Sequence, residues 1–229
     1  MEIVLTENLP GERAALSSEE RAEIKVIENA SPLGFGANHN QAFLQTTAPY
    51  FCVLNPDIEI TGNAFDELIR CLLLRPGVAG PRVLSPEGGI EDSARKVPNP
   101  LRLLARKLAS RTAPDYDPST PIQQVDWLAG MCLAFDRYSF ECVEGFDERF
   151  HLYCEDIDIC LRMHLTGHSV SWVQSSIVKH DARRSSHQSA RYLAWHLASL
   201  GRLFSSRTFW RFSRFTPPIV SETGRNPHV

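Results

Sequence analysis

Between Gly145 and Arg162 the sequence reads GFDERFHLYCEDIDICLR, which sets Asp147, Glu148, Glu155, Asp156 and Asp158 among Phe146, Phe150 and Tyr153. Carboxylates beside apolar rings suggest a site. Two further candidates stand where apolar runs stop. Tyr50-Phe-Cys-Val-Leu54 ends at Asn55-Pro56-Asp57, and an Asp at the carboxyl end of a strand, after a Pro that sets the turn, can hold a hard divalent cation. A turn-former or the N-cap of the next helix is the plainer use of the same Asp. Ile177-Val-Lys-His180 ends in a histidine that alone reads as structural, but with Asp57 at another strand end it becomes a candidate ligand.

The elements that position these groups are legible from periodicity. Ile157, Cys160, Leu161 and Leu165 recur at helical spacing, the stripe of a helix packed on a core. Asp158 and Arg162 stand four apart, which a surface ion pair worth a few tenths of a kcal/mol would explain. Glu155 and Asp156 fall at the helix start, where free N–H groups and the dipole favour ionised carboxylates, so capping is the alternative to chemistry there. Strands are expected at Glu2–Thr6, Ile24–Ile27, Tyr50–Leu54, Val78–Leu84, Gly130–Phe135, Ser169–Val173 and Ile177–His180, with short helices after Ser17 and Gly34 and a longer one from Asn63 to Leu74. Ser85–Gly89 reads as a hairpin turn, Asn99–Ser110 as a helix carrying Arg102, Arg106 and Lys107, and Thr112–Pro121 as a loop. The turn at Gly34 can bring backbone N–H groups to a phosphate, or can be a plain tight turn. Trp127 and Gly130 fit the floor of a sugar site, and Trp127 fits a core position equally well.

At 229 residues with a net charge of -3, the chain is long enough for one sizeable core and carries no overall argument for nucleic acid. The six cysteines form no CxxC pair and mostly lie in apolar runs, favouring reduced thiols in a cytosolic setting over disulfides or zinc. No apolar run reaches the length of a membrane span, and no basic region followed by a hydrophobic signal core opens the chain. Basic and aromatic residues gather from Ala182 to Phe215, where seven arginines interleave with Trp195, Phe204, Phe209, Trp210, Phe212 and Phe215 and no acid occurs. Such a helix can lie on an anionic bilayer or pack on the domain.

Taken together, the run NPD, the GFDERFHLYCEDID stretch and a strand ending in His180 ahead of Ser185, Ser186 and Ser189 resemble the glycosyltransferase family 2 enzymes, particularly their rhamnosyltransferase-like branch. The resemblance spans about Ile3 to Ser189, and the central run is its most specific part. It implies an α/β fold of GT-A type, a Rossmann-like mixed sheet flanked by helices, shortened here at the N-terminus because the usual first strand-helix unit is absent. Residues 1–189 would form that domain, 190–215 a basic aromatic helical extension and 216–229 a flexible tail. The implied activity is an inverting, metal-dependent transfer of a sugar, rhamnose among the candidates, from a nucleotide-diphosphate donor to a glycan or lipid-linked acceptor.

By the same resemblance Asp57 and His180 correspond to ligands of Mg²⁺ or Mn²⁺ and Asp156 to the catalytic base, with Glu155 holding the loop or the acceptor. Glu7 and Asn8 stand where the family has Asp-Asn, and with Gly34, Asn40 and Asp57 they would bind the donor. Trp127, Gly130, Asp147 and Glu148 fall on acceptor-side or site-shaping positions. Pro32 stands where an Asn usually precedes the Gly-Phe pair. The partners to expect are the donor, the acceptor, a peripheral membrane contact through the C-terminal helix and further copies of the chain, in the cytoplasm or on the inner face of the membrane. A degenerate transferase kept as a binding or scaffold subunit is the alternative. A two-metal phosphodiesterase or nucleotidyltransferase would need more carboxylates near Asp57 than Glu59 provides.

Overall fold

The computed structural model describes residues 1–98, 115–181 and 190–214. The helix expected at Asn99–Ser110, the serines at 185, 186 and 189 and the tail from 216 lie outside the described residues.

Strand β1 (Val4–Glu7) and β2 (Lys25–Glu28) pair in parallel through α1 (Ser18–Glu23), whose start is set by a capping box: Ser17 accepts from the Glu20 N–H and Glu20 answers to the Ser17 N–H. Helix α2 (Phe35–Phe43) follows. The main sheet then uses β3 (Tyr50–Leu54), β4 (Ile58–Ile60), β5 (Gly77–Leu84), β7 (Ile122–Gln124), β9 (Cys132–Asp136) and β10 (Ser169–His180), with β6 (Ala94–Arg95) and β8 (Trp127–Leu128) forming a small ribbon. Its order is β3-β9-β5-β10-β4, with β7 also on β10. Because β9 is antiparallel to both β3 and β5, and β5 is parallel to β10, the strands β3, β5 and β10 point the same way. Their carboxyl ends therefore meet at one edge, where ligands gather in α/β sheets.

Side chains alternate along β9: Cys132 and Ala134 join one core layer, Leu133 and Phe135 the other. The first layer packs α3 (Ala64–Leu74) through Ala64, Leu68, Cys71 and Leu72. The second takes α4 (Arg137–Cys142), α5 (Glu155–Leu165) and a set of phenylalanines that includes Phe135, Phe140 and Phe146 in edge-to-face contact. Helices α6 (Ala190–Ser205) and α7 (Arg207–Ser213) send Leu203, Phe209 and Phe212 into this same layer.

One local expectation is corrected. The closing segment is one strand, β10, with a register shift between Val173 and Ile177 rather than two strands; the polar Gln174-Ser175-Ser176 suggested a break, yet Ser176 is buried and donates to the Ala64 carbonyl. Strands β4 and β7 and helix α4 had no periodic signal because each is short. All six cysteines are free, but Cys142 is exposed and Cys52 only partly buried. Among the described residues neither β1 nor β2 pairs with β3, so the parallel pair stands as its own two-stranded sheet.

Candidate active site

Asp156 is the second residue of α5. The helix is entered through two left-handed residues, Tyr153 (φ 70°) and Cys154 (φ 66°), with Cys154 as the N-cap and no side-chain cap. Neither Glu155 nor Asp156 caps the helix, against the plainer expectation. Instead Asp156 Oδ1 accepts from the Ile157 N–H at 2.8 Å, while Oδ2 accepts from the Gly130 N–H at 3.0 Å, across to the segment before β9. Burial pushes its pKa up, and those two N–H groups and the Arg95 charge counter the shift. Glu155 is 4% exposed, and its Oε2 has no hydrogen-bond partner. Burial, and then the neighbouring Asp156 charge, pushes it up to about 8.

The loop before α5 is held from four sides. Asn40 on α2 clamps it: its Oδ1 accepts from the Phe146 N–H at 2.9 Å, and its Nδ2 donates to the Phe146 carbonyl and to Glu148 Oε1. Gly145 sits at φ 65°, and a Cβ there would come within 2.5 Å of Asn40 Oδ1, so only glycine fits. From the helix side, Arg162 donates to the Val143 and Gly145 carbonyls and pairs with Asp158 at 2.7 Å. That pair is not on the surface, because Asp158 is 2% exposed. From below, Phe35 N–H donates to the His151 carbonyl, and a Cβ on Gly34 would meet that carbonyl oxygen at 2.7 Å. The Gly34 turn is thus filled by the protein's own backbone, with no phosphate needed to explain it. From above, Ser199 of α6 donates to the Leu152 carbonyl and the Trp195 ring lies tilted against His151, centroids 4.6 Å apart.

Asp57 follows β3 and His180 ends β10, and the structure brings them together: His180 Nε2 lies 3.4 Å from Asp57 Oδ2. On its other side His180 Nδ1 lies 2.9 Å from Glu91 Oε2. With Nδ1–H donated to Glu91, the tautomer this contact selects, the Nε2 lone pair faces a carboxylate oxygen. Two acceptors at that separation need a proton or a cation between them, and Asp57 Oδ1 is a buried atom without a partner. A histidine oriented by a carboxylate behind it is the usual arrangement around a metal ligand. The donor set, one carboxylate and one imidazole, fits a divalent cation that takes its remaining ligands from a diphosphate or water. Among the described residues no group of three or more His, Cys, Asp or Glu side chains could hold a metal.

The segment after the β5 hairpin joins the two centres, and sequence reading passed over it. Glu91 backs His180. Arg95 pairs with Asp92 at 3.0 Å, lies 5.5 Å from the Trp127 ring and acts electrostatically on Asp156. Its one advance signal is a charged run, Glu91-Asp92 to Arg95-Lys96, straight after a glycine turn. Trp127 is 7% exposed and donates through Nε1 to the Lys96 carbonyl. It belongs to the core and to the Arg95 contact at once. Met131 accepts from the Asn55 N–H, so the turn carrying Asp57 is tied to the Gly130 segment that holds Asp156.

The other expected residues are engaged elsewhere. Glu7 accepts from Arg21 at 2.7 Å and from the Ala14 N–H; Arg21 is the first cause of its lowered pKa. Asn8 accepts from the Leu33 N–H and from Asn29, which also donates to Asn38. Asp147 is paired through both oxygens with Arg149, which holds it below the ordinary carboxylate range. Asp147 and Glu148 line an open hollow of about 420 Å³ with Asn40, Arg149 and Arg162, and neither Asp156 nor Trp127 lines it.

No family model matches the chain. It is 28% identical over 198 residues to N-acetylglucosaminyl-diphospho-decaprenol L-rhamnosyltransferase of Mycobacterium tuberculosis, covering 77% of this chain and 64% of that protein. It is 35% identical over 101 residues to rhamnosyltransferase WbbL of Escherichia coli, covering 41% of this chain and 38% of that one. The chain thus spans under two thirds of the length of these relatives. Among solved structures it superposes on GalNAc-T7 with UDP, GalNAc and Mn²⁺ at a TM-score of 0.63, 15% identity, 87% of this chain and 41% of that one. It also superposes on the mannosyltransferase PcManGT of Pyrobaculum calidifontis with GDP-Man and Mn²⁺, at 0.52, 14% identity, 88% and 55%. By fold the chain is of the GT-A type, and by sequence it is similar to rhamnosyltransferases.

Proposed function

We propose that the chain carries the active centre of an inverting glycosyltransferase that moves a sugar from a nucleotide-diphosphate donor to a hydroxyl of a glycan or lipid-linked acceptor. The observation that carries this reading is the meeting, at one sheet edge, of an Asp156 carboxylate fixed by the Gly130 N–H with the Asp57–His180 pair, the two being joined by Glu91–Arg95. The relatives support it by name: both are rhamnosyltransferases, and the mycobacterial one names a diphospho-decaprenol acceptor. Rhamnose and a lipid-linked acceptor are accordingly the first substrates to try.

Asp156 takes the proton of the acceptor hydroxyl as its oxygen bonds to the anomeric carbon and the bond to the nucleoside diphosphate breaks. Gly130 and Ile157 leave one direction open at each carboxylate oxygen and hold the side chain in register. This role requires an ionised Asp156: burial pushes its pKa up, and the Gly130 and Ile157 N–H groups and then the Arg95 charge oppose that push, while Glu155, pushed up to about 8, keeps its proton beside it, so that in this reading the pair carries one charge. Asp57 and His180 are the residues to hold Mg²⁺ or Mn²⁺, whose chemistry when bound is to neutralise charge on a leaving diphosphate. The test is transfer from a panel of nucleotide sugars with Mn²⁺: Asp156→Asn should lower turnover by at least about 10²-fold while calorimetry shows donor binding kept. Near-normal turnover in that variant would remove Asp156 from the role.

A second reading, a transferase-like subunit that binds without catalysing, is favoured by a specific observation. Glu7, Asn8 and Asn40 spend their polar groups inside the protein, and β1 does not join β3. It predicts no turnover with any donor in the panel and no metal-dependent binding of uridine or thymidine diphosphate.

A further inference from the structure

Helix α6 has two apolar faces. At 100° per residue, Ser199 and Leu203 lie on the buried side and Leu193, Ala194, Leu197, Ala198 and Gly201 on the opposite side. Leu193 and Leu197 are each 60% exposed. A helix face turned to water normally carries charge, and this one carries none across its centre. Arg191 and Arg202 border it on one flank. In α7 the exposed residues Arg207, Trp210, Arg211 and Arg214 recur at helical spacing on the outer side, while Phe209 and Phe212 face inward. The Trp210 indole N–H is already donated to the Phe204 carbonyl at 2.8 Å, so its half-exposed ring has no unmet hydrogen bond. Residues 190–214 hold five arginines and no acid.

We propose that α6 and α7 dock on an anionic lipid bilayer, with the outer face of α6 in the interface and the arginines against acidic headgroups. Charge decides the occupant: an apolar stripe bordered by arginines without any acid matches a negatively charged apolar boundary, whereas a second copy would set the same arginines against each other. The docking surface is also coupled to the centre, since the inner side of α6 braces the loop before Asp156 through Ser199–Leu152, Trp195–His151 and His196–Tyr153. Acceptors anchored in that bilayer would be delivered beside Asp156.

The test is co-sedimentation of the full chain with phosphatidylglycerol/phosphatidylcholine vesicles and with pure phosphatidylcholine vesicles, both free of any acceptor, so the outcome is independent of transfer activity. Preference for the anionic vesicles, weakened by salt, is expected. Arg207→Glu with Arg211→Glu should weaken it by at least about tenfold, given roughly fivefold per arginine at such a surface. Leu193→Glu with Leu197→Glu should also abolish it, whereas Leu73→Glu with Leu74→Glu, a pair on α3 that is more exposed still, should leave most of it. No preference for anionic lipid, an equal loss in the α3 control, or full binding by the α6 variant would overturn the proposal. So would a wild-type dimer in light scattering that the α6 variant dissolves while neither protein binds vesicles. Circular dichroism checks that each variant is folded, and the arginine pair alone decides if the leucine pair is not.

Discussion

Glu155 gives the sharpest test of how the centre is built. Its folded-state pKa is pushed up to about 8 from an ordinary 4.5, chiefly through burial. A carboxyl raised in this way favours folding at low pH, and that stability is lost as pH rises from the unfolded value through the folded one. At pH 7 the folded protein holds a proton that the unfolded chain has released, a cost of about 2–4 kcal/mol. Glu155→Gln removes the titration. The amide it introduces has no partner for the position of Oε2, which costs about 1–3 kcal/mol at every pH. The stability of Glu155→Gln relative to wild type should therefore climb by about 2–4 kcal/mol between acid and neutral pH, whatever its sign at one pH. Urea unfolding of both proteins from about pH 5 to pH 8, followed by fluorescence and circular dichroism together, measures that difference. A difference that stays flat would mean that Glu155 is not buried as a neutral acid, and the one-charge account of the Glu155–Asp156 pair would fall with it.

Arg95→Met removes a charge that opposes the upward shift of Asp156, so the acid limb of the turnover profile should move to higher pH, with the alkaline limb unmoved. Gly145→Ala should lower stability by about 2–4 kcal/mol, because it strains a left-handed residue and drives a methyl into Asn40; in a double-mutant cycle with Asn40→Ala the two losses should add to less than their sum, as denaturant titration will report.

Long periodic elements and strand-end punctuation were legible because a single physical pattern dictates each. Tyr50–Leu54 and Ala64–Leu74 follow from apolar runs closed by Asn-Pro and by Pro-Gly, and the capping box at Ser17 marks its helix unaided. The pairing of Asp57 with His180 was legible as two strand ends, but that they share an edge depends on β9 lying between β3 and β5, a long-range pairing no local pattern encodes. Asp158 shows the limit most plainly. Spacing reads the same for a surface ion pair and for a buried one, and only the Val143 and Gly145 carbonyls on Arg162 and the burial of Asp158 tell them apart. Glu91 and Arg95 were missed because a charged run after a turn looks like any solvated loop until β6 pairs with β8.

The two halves of the centre are not equally self-supporting. Around Asp156 nearly every restraint is internal: the Gly130 N–H, the Asn40 clamp, the buried Arg162–Asp158 pair and the α6 brace are formed without a ligand. Removing one partner of a buried pair such as Arg162–Asp158 costs about 3–5 kcal/mol, so this half keeps its geometry at the expense of tolerance to substitution. Around Asp57 the restraints run out at the orphaned Oδ1 and at the edge of β3, which has no strand partner among the described residues. An unmet buried acceptor beside a histidine lone pair is a site that gains most when something cationic arrives, and an unpaired strand edge is one that gains most when another strand does. Under the function proposed above, the centre is thus rigid where a proton would be taken and unfinished where the donor would be held, and the order this physics favours is assembly of the donor side onto a base that is already in place.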